Sequence, residues 1–163
     1  APKDMPGAQN PRNLPAMEEE LLKDVIPFVE SRYPVRADRE HRAIAGLSMG
    51  GGHSLKIGLT HLELFSASGA FRGAGGKVNP NPSYGGAFAD AAEINKKVRL
   101  LYIHAGTTEE SFHKNAMVLH TTLDQAGIRN VFEEAKGTAH EWSTWRSAFF
   151  NFAPRLFQDS ATK

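Results

Sequence analysis

The chain has 163 residues and a mass of 17.8 kDa, a size typical of a single domain. Its 19 Lys and Arg nearly balance its 18 Asp and Glu, which argues against a polybasic nucleic-acid-binding protein. The absence of Cys excludes a disulfide scaffold, a thiolate metal site and a cysteine nucleophile. Apolar residues make up 40% of the chain, and no apolar run approaches the roughly 20 residues that span a bilayer. We therefore expect neither nucleic acid nor membrane as a partner.

The N-terminal segment is predicted to be an irregular arm followed by a helix. Residues 1–16 are polar, lack the apolar stretch of a signal peptide and carry four prolines that do not fit one regular element. A helix is expected to begin near Pro15, because the apolar residues of 21–29 repeat with a period of about 3.6. Pro27 lies inside this pattern and should kink or restart the helix, which should end before Pro34.

Further along, short apolar runs alternate with helical patterns, the order typical of an α/β fold with a parallel sheet. The predicted strands are 42–47, 64–70, 98–103 and 130–135, and the predicted helices are 51–60, 109–126 and 142–156, the last interrupted at Pro154. The first strand is uniformly apolar and is predicted to be buried on both faces, whereas the last is more polar and is expected near an edge. Residues 71–97 are rich in Gly and are predicted to form a long loop or lid that ends in a weak helix over 87–97.

The pentapeptide Gly46–Gly50 matches G-x-S-x-G between a predicted strand and a predicted helix, which is the context of a nucleophile elbow. Such a turn is strained so that the hydroxyl of Ser48 faces the cleft, and a Cβ at either outer glycine is expected to crowd it. The Met49 N–H, at the start of the following helix, is the expected donor to an oxyanion. Gly-rich pentapeptides also arise by chance at strand–helix turns, so the motif needs support from a base.

A serine nucleophile requires a base and usually an acid that orients the base. Of the seven histidines, His140 is the candidate base, because it comes last and follows the fourth predicted strand. The alternative is that His140 is a surface residue at a helix start. The acid is expected after the third strand, where Glu109 is the candidate and Glu110 the second choice. Either acid can instead stabilise the N-terminal end of helix 109–126 through the helix dipole.

Metal and nucleotide chemistry have no support in the sequence. His140 and Glu141 do not belong to an H-E-x-x-H motif, and the glycines of 50–52 lack the lysine and the spacing of a phosphate-binding loop. No metal site and no cofactor are therefore implied.

The motif residues resemble those of the esterase D-like group of α/β-hydrolases. This group includes feruloyl esterases of carbohydrate esterase family one, enterochelin esterases and the mycobacterial antigen 85 acyltransferases. The segments that carry the resemblance are Glu20–Pro27, Ala43–Gly51, Leu101–Thr107 and His140–Arg146, the last similar to an H-x-W-x-x-W-R ending. The similarity runs from about residue 17 to residue 157, and it puts the acid at Glu109, where many members have Asp.

The resemblance implies a serine carboxylic-ester hydrolase that acts through a Ser48–His140–Glu109 triad and an acyl-enzyme. A feruloyl or acetyl ester on plant polysaccharide is the implied substrate, and the implied location is therefore extracellular. Two alternatives use the same machinery, namely an acyltransferase and a siderophore esterase of the enterochelin type. A third alternative is an inactive scaffold fragment.

Three aromatic residues are expected to contact the acyl or sugar part of the substrate: Phe71, Tyr84 and Trp142. Phe71 and Tyr84 fall in the predicted loop of 71–97, and Trp142 is close to the candidate base. A core role is the alternative for Trp142.

The sequence departs from the family pattern before the serine. The resemblance implies several strands there, whereas only 47 residues precede Ser48 and they contain one predicted helix. The expectation is that residues 1–163 form the C-terminal portion of one α/β-hydrolase domain, completed by a missing N-terminal segment or by a second copy in a homodimer. The strand at 43–47 should then have an open edge, which favours pairing with another strand.

Overall fold

The computed structural model describes residues 13–73 and 83–158. The chain divides into two compact units, one ending at Ala37 and the other beginning at Asp38, and each is described by itself. The single domain over 1–163 stays a prediction. In the two described ranges, no helix is both long and apolar enough to cross a bilayer.

The first unit is helical, with a wide turn in its middle. Helix α1 (Asn13–Glu20) is followed by a π-helical turn (Leu21–Val25) and by α2 (Ile26–Arg32). Pro27 lies in the first turn of α2, directly after the π-helical turn, so the regular helix is interrupted where the sequence predicts a kink or restart. The prediction of an irregular arm is wrong for residues 13–16, which are helical, and residues 1–12 lie outside the described part.

The second unit alternates strands and helices around a parallel sheet. Its strands are β1 (Ala43–Leu47), β2 (Ala67–Phe71), β3 (Leu100–Gly106) and β4 (Val131–Ala135), and its helices are α3 (Met49–Thr60), α4 (Ala91–Lys97), α5 (Glu110–Gln125) and α6 (Trp142–Phe152). Short 3-10 turns occupy Arg39–His41, Ser83–Gly86 and Ala153–Arg155. The strand order is β1-β2-β3-β4 and each neighbouring pair is parallel, which confirms the predicted α/β class.

The sheet lies between two layers of helices. Every residue of the inner strand β3 is buried, and its side chains alternate between the two faces. Leu101 and Ile103 pack in a cluster with residues of α3, α4 and α5, whereas Tyr102 packs with Trp145 and Phe152 of α6. This arrangement places the carboxyl ends of all four strands along one edge, where the polar residues of the loops meet.

The outer strands differ from the sequence prediction in one case. Among the described residues β1 pairs only with β2, so it has an open edge as expected. The prediction that β1 is buried on both faces is wrong, since its residues are half-buried and Ala45 is exposed. The edge position of β1 explains this exposure. Strand β4 lies at the opposite edge, which confirms its predicted place.

The predicted segment of 71–97 differs from the structure at both ends, with Phe71 in β2 and the closing helix four residues shorter than the predicted 87–97. Phe71 is the last residue of β2, and the segment closes with α4, which begins at Ala91. The carboxylate of Asp90 accepts hydrogen bonds from the N–H groups of Ala92 and Glu93 and so caps this helix. The residues 74–82 lie outside the described part, and the role of this segment as a lid stays a prediction.

Candidate active site

Ser48 occupies a strained turn between β1 and α3. Its backbone has φ 54° and ψ −123°, a conformation that glycine adopts far more readily than serine. The Ser48 N–H donates to the carbonyl of Phe71 at 3.1 Å, and the Ser48 carbonyl accepts from the Gly51 N–H at 3.0 Å. The turn is therefore held from both sides in the geometry of a nucleophile elbow.

The glycines around Ser48 have different steric roles. A Cβ at Gly46 would lie 2.4 Å from the carbonyl oxygen of Gly50, so the first glycine of the motif is required as predicted. A Cβ at Gly50 would meet nothing within 4 Å, so the prediction that it would crowd the turn is wrong. The tight approach is instead at Gly51, where a Cβ would be 2.9 Å from the carbonyl oxygen of Arg72.

His140 is brought directly to the candidate nucleophile. Its Nε2 lies 2.9 Å from the Ser48 Oγ, within hydrogen-bond distance. The His140 imidazole and the Trp145 ring form a T-shaped pair, with ring centroids 4.7 Å apart. The buried hydroxyl of Thr144 donates to the carbonyl of Ala139 at 2.7 Å and so fixes the residue next to the base. His140 is itself exposed, two residues before α6, and its role as the base stays a prediction.

The loop after β3 is tied to the loop that carries His140. Thr108 donates to the carbonyl of Thr138 through both its N–H, at 3.1 Å, and its hydroxyl, at 2.7 Å. The Thr107 hydroxyl accepts from the Gly137 N–H at 2.9 Å. These bonds hold the segment before Glu109 beside the segment before His140, at the carboxyl end of the sheet.

Glu109 reaches the same site but has another partner than predicted. Its Oε2 accepts from the Arg72 Nε at 2.9 Å and its Oε1 from the Arg72 Nη2 at 2.6 Å. In the described part of the chain, no hydrogen bond joins Glu109 to His140, so this leg of the predicted triad is not formed here. A two-bond, charge-assisted contact with a guanidinium is stronger than one bond to a neutral imidazole, which accounts for the difference.

The other predicted machinery residues lie at helix starts. Glu110 is exposed in the first turn of α5, a position that suits interaction with the helix dipole rather than orientation of a base. Met49 is the first residue of α3, directly after the nucleophile, and its role as oxyanion donor stays a prediction.

The three aromatic residues predicted to contact substrate lie in different places. Trp142 is 69% exposed and packs edge-on against Trp145 beside the base. Phe71 is buried and its ring contacts Phe152. The Phe71 side chain also lines an apolar groove along α6 that is described below.

Tyr84 lies away from the nucleophile. It packs on buried Phe88, and the next residue, Gly85, is near Thr60, at the opposite end of α3 from Ser48. Burial raises the pKa of the Tyr84 phenol. Tyr84 is half-buried against the core cluster, and its contact with substrate stays a prediction.

An apolar groove of about 580 Å³ begins beside the nucleophile and follows α6. It is lined by Leu47, Phe71, Trp142, Trp145, Arg146, Phe149, Phe150, Ala153 and Pro154. Its near end is formed by Leu47, which precedes Ser48, and by the two tryptophans next to His140. Within the described ranges, no group of three or more His, Asp or Glu residues is arranged to hold a metal ion.

Comparison with known proteins places this chain in an esterase family. A family model described as "Putative esterase" matches residues 2–156. A curated endo-1,4-beta-xylanase/feruloyl esterase from Xylanibacter ruminicola is 30% identical over 141 residues, which is 86% of this chain and 18% of that protein.

Solved structures give the same result for the fold. The CE1 ferulic acid esterase of Anaeromyces mucronatus, in complex with ferulic acid, is 26% identical with a TM-score of 0.73, over 91% of this chain and 58% of that one. An enterochelin esterase from Shigella flexneri is 17% identical with a TM-score of 0.64, over 86% of this chain and 37% of that one, and supports the fold alone. The chain thus spans only part of the length of the proteins that it matches. Because the family model covers nearly all of its residues, the chain belongs to this esterase family and has the α/β-hydrolase fold.

Proposed function

We propose that the protein hydrolyses carboxylic esters, with Ser48 as nucleophile and His140 as general base. The observation that carries the proposal is the 2.9 Å contact between the Ser48 Oγ and the His140 Nε2 at a strained strand–helix turn. A serine hydroxyl is weakly nucleophilic until a base removes its proton, and His140 is placed to do so.

The reaction follows from these positions. His140 Nε2 takes the proton from Ser48 Oγ as the oxygen attacks the ester carbonyl carbon, and the carbonyl electron pair moves onto its oxygen. The Met49 N–H stabilises this oxyanion from the start of α3. His140 then gives its proton to the leaving alcohol, which departs as the acyl-enzyme forms. A water molecule, deprotonated by His140, attacks the acyl carbon and releases the acid and Ser48.

The proposed substrate is an aromatic acyl ester of the feruloyl type, linked to a polysaccharide outside the cell. Two observations support it. The near end of the groove is lined by Leu47, Trp142 and Trp145, and aromatic side chains pack well on an aromatic acyl group. The curated relative is named both as a xylanase and as a feruloyl esterase, and the Anaeromyces mucronatus structure contains ferulic acid.

The test combines a fluorophosphonate probe with ester turnover. The probe should attach to Ser48, and Ser48→Ala should lose both labelling and hydrolysis of methyl ferulate while its thermal unfolding stays cooperative. Ser147→Ala, which changes an exposed serine of α6, is the matched control and should keep both. Hydrolysis that survives in Ser48→Ala would refute the assignment of the nucleophile, and a chain that neither labels nor turns over ester would support the scaffold alternative. Faster turnover of methyl acetate than of methyl ferulate would refute the aromatic preference.

A further inference from the structure

Arg72 lies directly against the elbow, although no motif contains it. It follows the last residue of β2, has φ 58°, and its N–H donates to the carbonyl of His104 at 2.8 Å. A Cβ on the next residue, Gly73, would be 1.8 Å from the carbonyl oxygen of Ser48. A non-glycine residue held in a left-handed conformation beside a nucleophile is the kind of strain that functional sites retain.

The guanidinium of Arg72 is fixed by two neighbours. The Glu109 carboxylate accepts hydrogen bonds from the Arg72 Nε and Nη2, which occupies one side of the guanidinium. The ring of Phe112 lies under the guanidinium, with 3.6 Å between Cζ and the ring centroid. The Arg72 and Glu109 side chains are only 12% and 15% exposed, so this ion pair is screened less than a surface pair. The side chain therefore holds one orientation.

The remaining guanidinium nitrogen of Arg72 contacts the candidate nucleophile. The Arg72 Nη1 donates to the Ser48 Oγ at 3.3 Å, while the His140 Nε2 contacts the same oxygen at 2.9 Å. When Oγ bonds to a carbonyl carbon, the oxyanion forms on that adjacent carbon, within reach of a donor already aimed at Oγ. Glu109 balances the charge of Arg72 in the resting site. The Arg72 Nη1–H would therefore stabilise the negative charge that develops in the intermediate.

We propose that the Arg72 Nη1–H donates a hydrogen bond to the oxyanion of the tetrahedral intermediate, and that Glu109 and Phe112 position the guanidinium for this contact. The inference rests on the proposed function. Arg72 keeps its proton throughout, since the Ser48 proton goes to His140 and the carbonyl electron pair to the oxyanion. The bond from Arg72 to the oxyanion exists only once the intermediate has formed, so its loss should lower kcat more than it changes KM.

The experiment compares Arg72→Met with the double variant Arg72→Met/Glu109→Gln, using 4-nitrophenyl acetate as substrate. Removing one oxyanion donor lowers kcat by about 10²-fold to 10³-fold, and we expect this loss in both variants with little change in KM. The double variant removes the uncompensated Glu109 charge, so it folds even if the single variant does not. Recovery of wild-type kcat in the double variant would show that Arg72 only neutralises Glu109, and would overturn the proposal. Arg32→Met, which changes an arginine that also lies over a phenylalanine ring, is the control and should keep full activity.

Two further readouts separate this role from others. Methylguanidinium should raise the kcat of Arg72→Ala but not of Ser48→Ala, and potassium chloride at equal ionic strength should not. Glu109→Gln should lower kcat without moving the acid limb of the kcat/KM pH profile, whereas an acid that orients His140 directly would move it. If Ser48→Ala is inactive while the double variant is fully active, the role of Arg72 is refuted and the proposed function stands. If Ser48→Ala is active, both the role of Arg72 and the proposed function are refuted.

Discussion

The two outer glycines of the G-x-S-x-G motif should respond in opposite ways to alanine. In Gly46→Ala the new Cβ would lie 2.4 Å from the Gly50 carbonyl oxygen and 2.8 Å from the Ser54 Oγ, so the start of α3 must shift by roughly 1 Å to restore ordinary contact. Overpacking of this kind costs about 1–3 kcal/mol in unfolding free energy. A displacement of about 1 Å at a reacting group can cost about 10²-fold in rate, so we expect Gly46→Ala to lose most of its activity.

Gly50→Ala is the matched control, because its Cβ would meet nothing within 4 Å. It lies in the first turn of α3, where alanine is favoured over glycine by up to about 1 kcal/mol. For a chain of this length, that gain corresponds to a rise in Tm of about 2–4 °C. Urea unfolding followed by circular dichroism gives the stabilities, and turnover of 4-nitrophenyl acetate gives the activities. If Gly50→Ala loses as much activity as Gly46→Ala, the steric argument is refuted.

Two further predictions concern buried polar groups near the site. Burial lowers the pKa of His104 below its ordinary value of 6.5, so below that pH the unfolded chain takes up a proton that the folded chain resists, and stability falls. Between pH 7.5 and pH 5, the unfolding free energy measured in urea should therefore fall less in His104→Leu than in the wild type. An equal fall in the two proteins would contradict the lowered pKa of His104. Thr144→Val removes one of the two donors to the Ala139 carbonyl, the other being the Glu141 N–H, and should cost about 0.5–1.5 kcal/mol and lower kcat by loosening His140. Thr122→Val, which removes a bond of equal length within the half-buried part of α5 and away from His140, should leave kcat unchanged, and an equal loss of kcat in the two variants would count against this role of Thr144.

The sequence predicts the order of elements well because each has a strong local pattern. The G-x-S-x-G turn and its position between a strand and a helix follow from residues adjacent in the chain. The start of β2 is less predictable, since Leu64 and Phe65 are as apolar as a strand but form a turn through bonds to the His61 carbonyl. Apolar character alone does not separate such a turn from a strand.

The partner of Glu109 depends on contacts that no local pattern encodes. Arg72 is 37 residues away in the chain, and the sheet register brings the ends of β2 and β3 together. The contact of Phe112 is equally hard to predict from the sequence. Its helical spacing predicts a core position, whereas its ring lies under the Arg72 guanidinium. The one available hint is that a charged residue directly follows a buried strand next to the nucleophile strand.

The backbone of Ser48 also bears on what the chain is for. At φ 54° and ψ −123° a serine side chain adds strain that glycine avoids, by a cost on the order of 1–3 kcal/mol. This cost is a sizeable part of the marginal stability of a small domain. Glycine would serve a purely structural turn better, since it fits the conformation without that cost. The Ser48 hydroxyl therefore occupies a position that costs folding stability, and in the proposed function a reactive oxygen in the cleft offsets that cost.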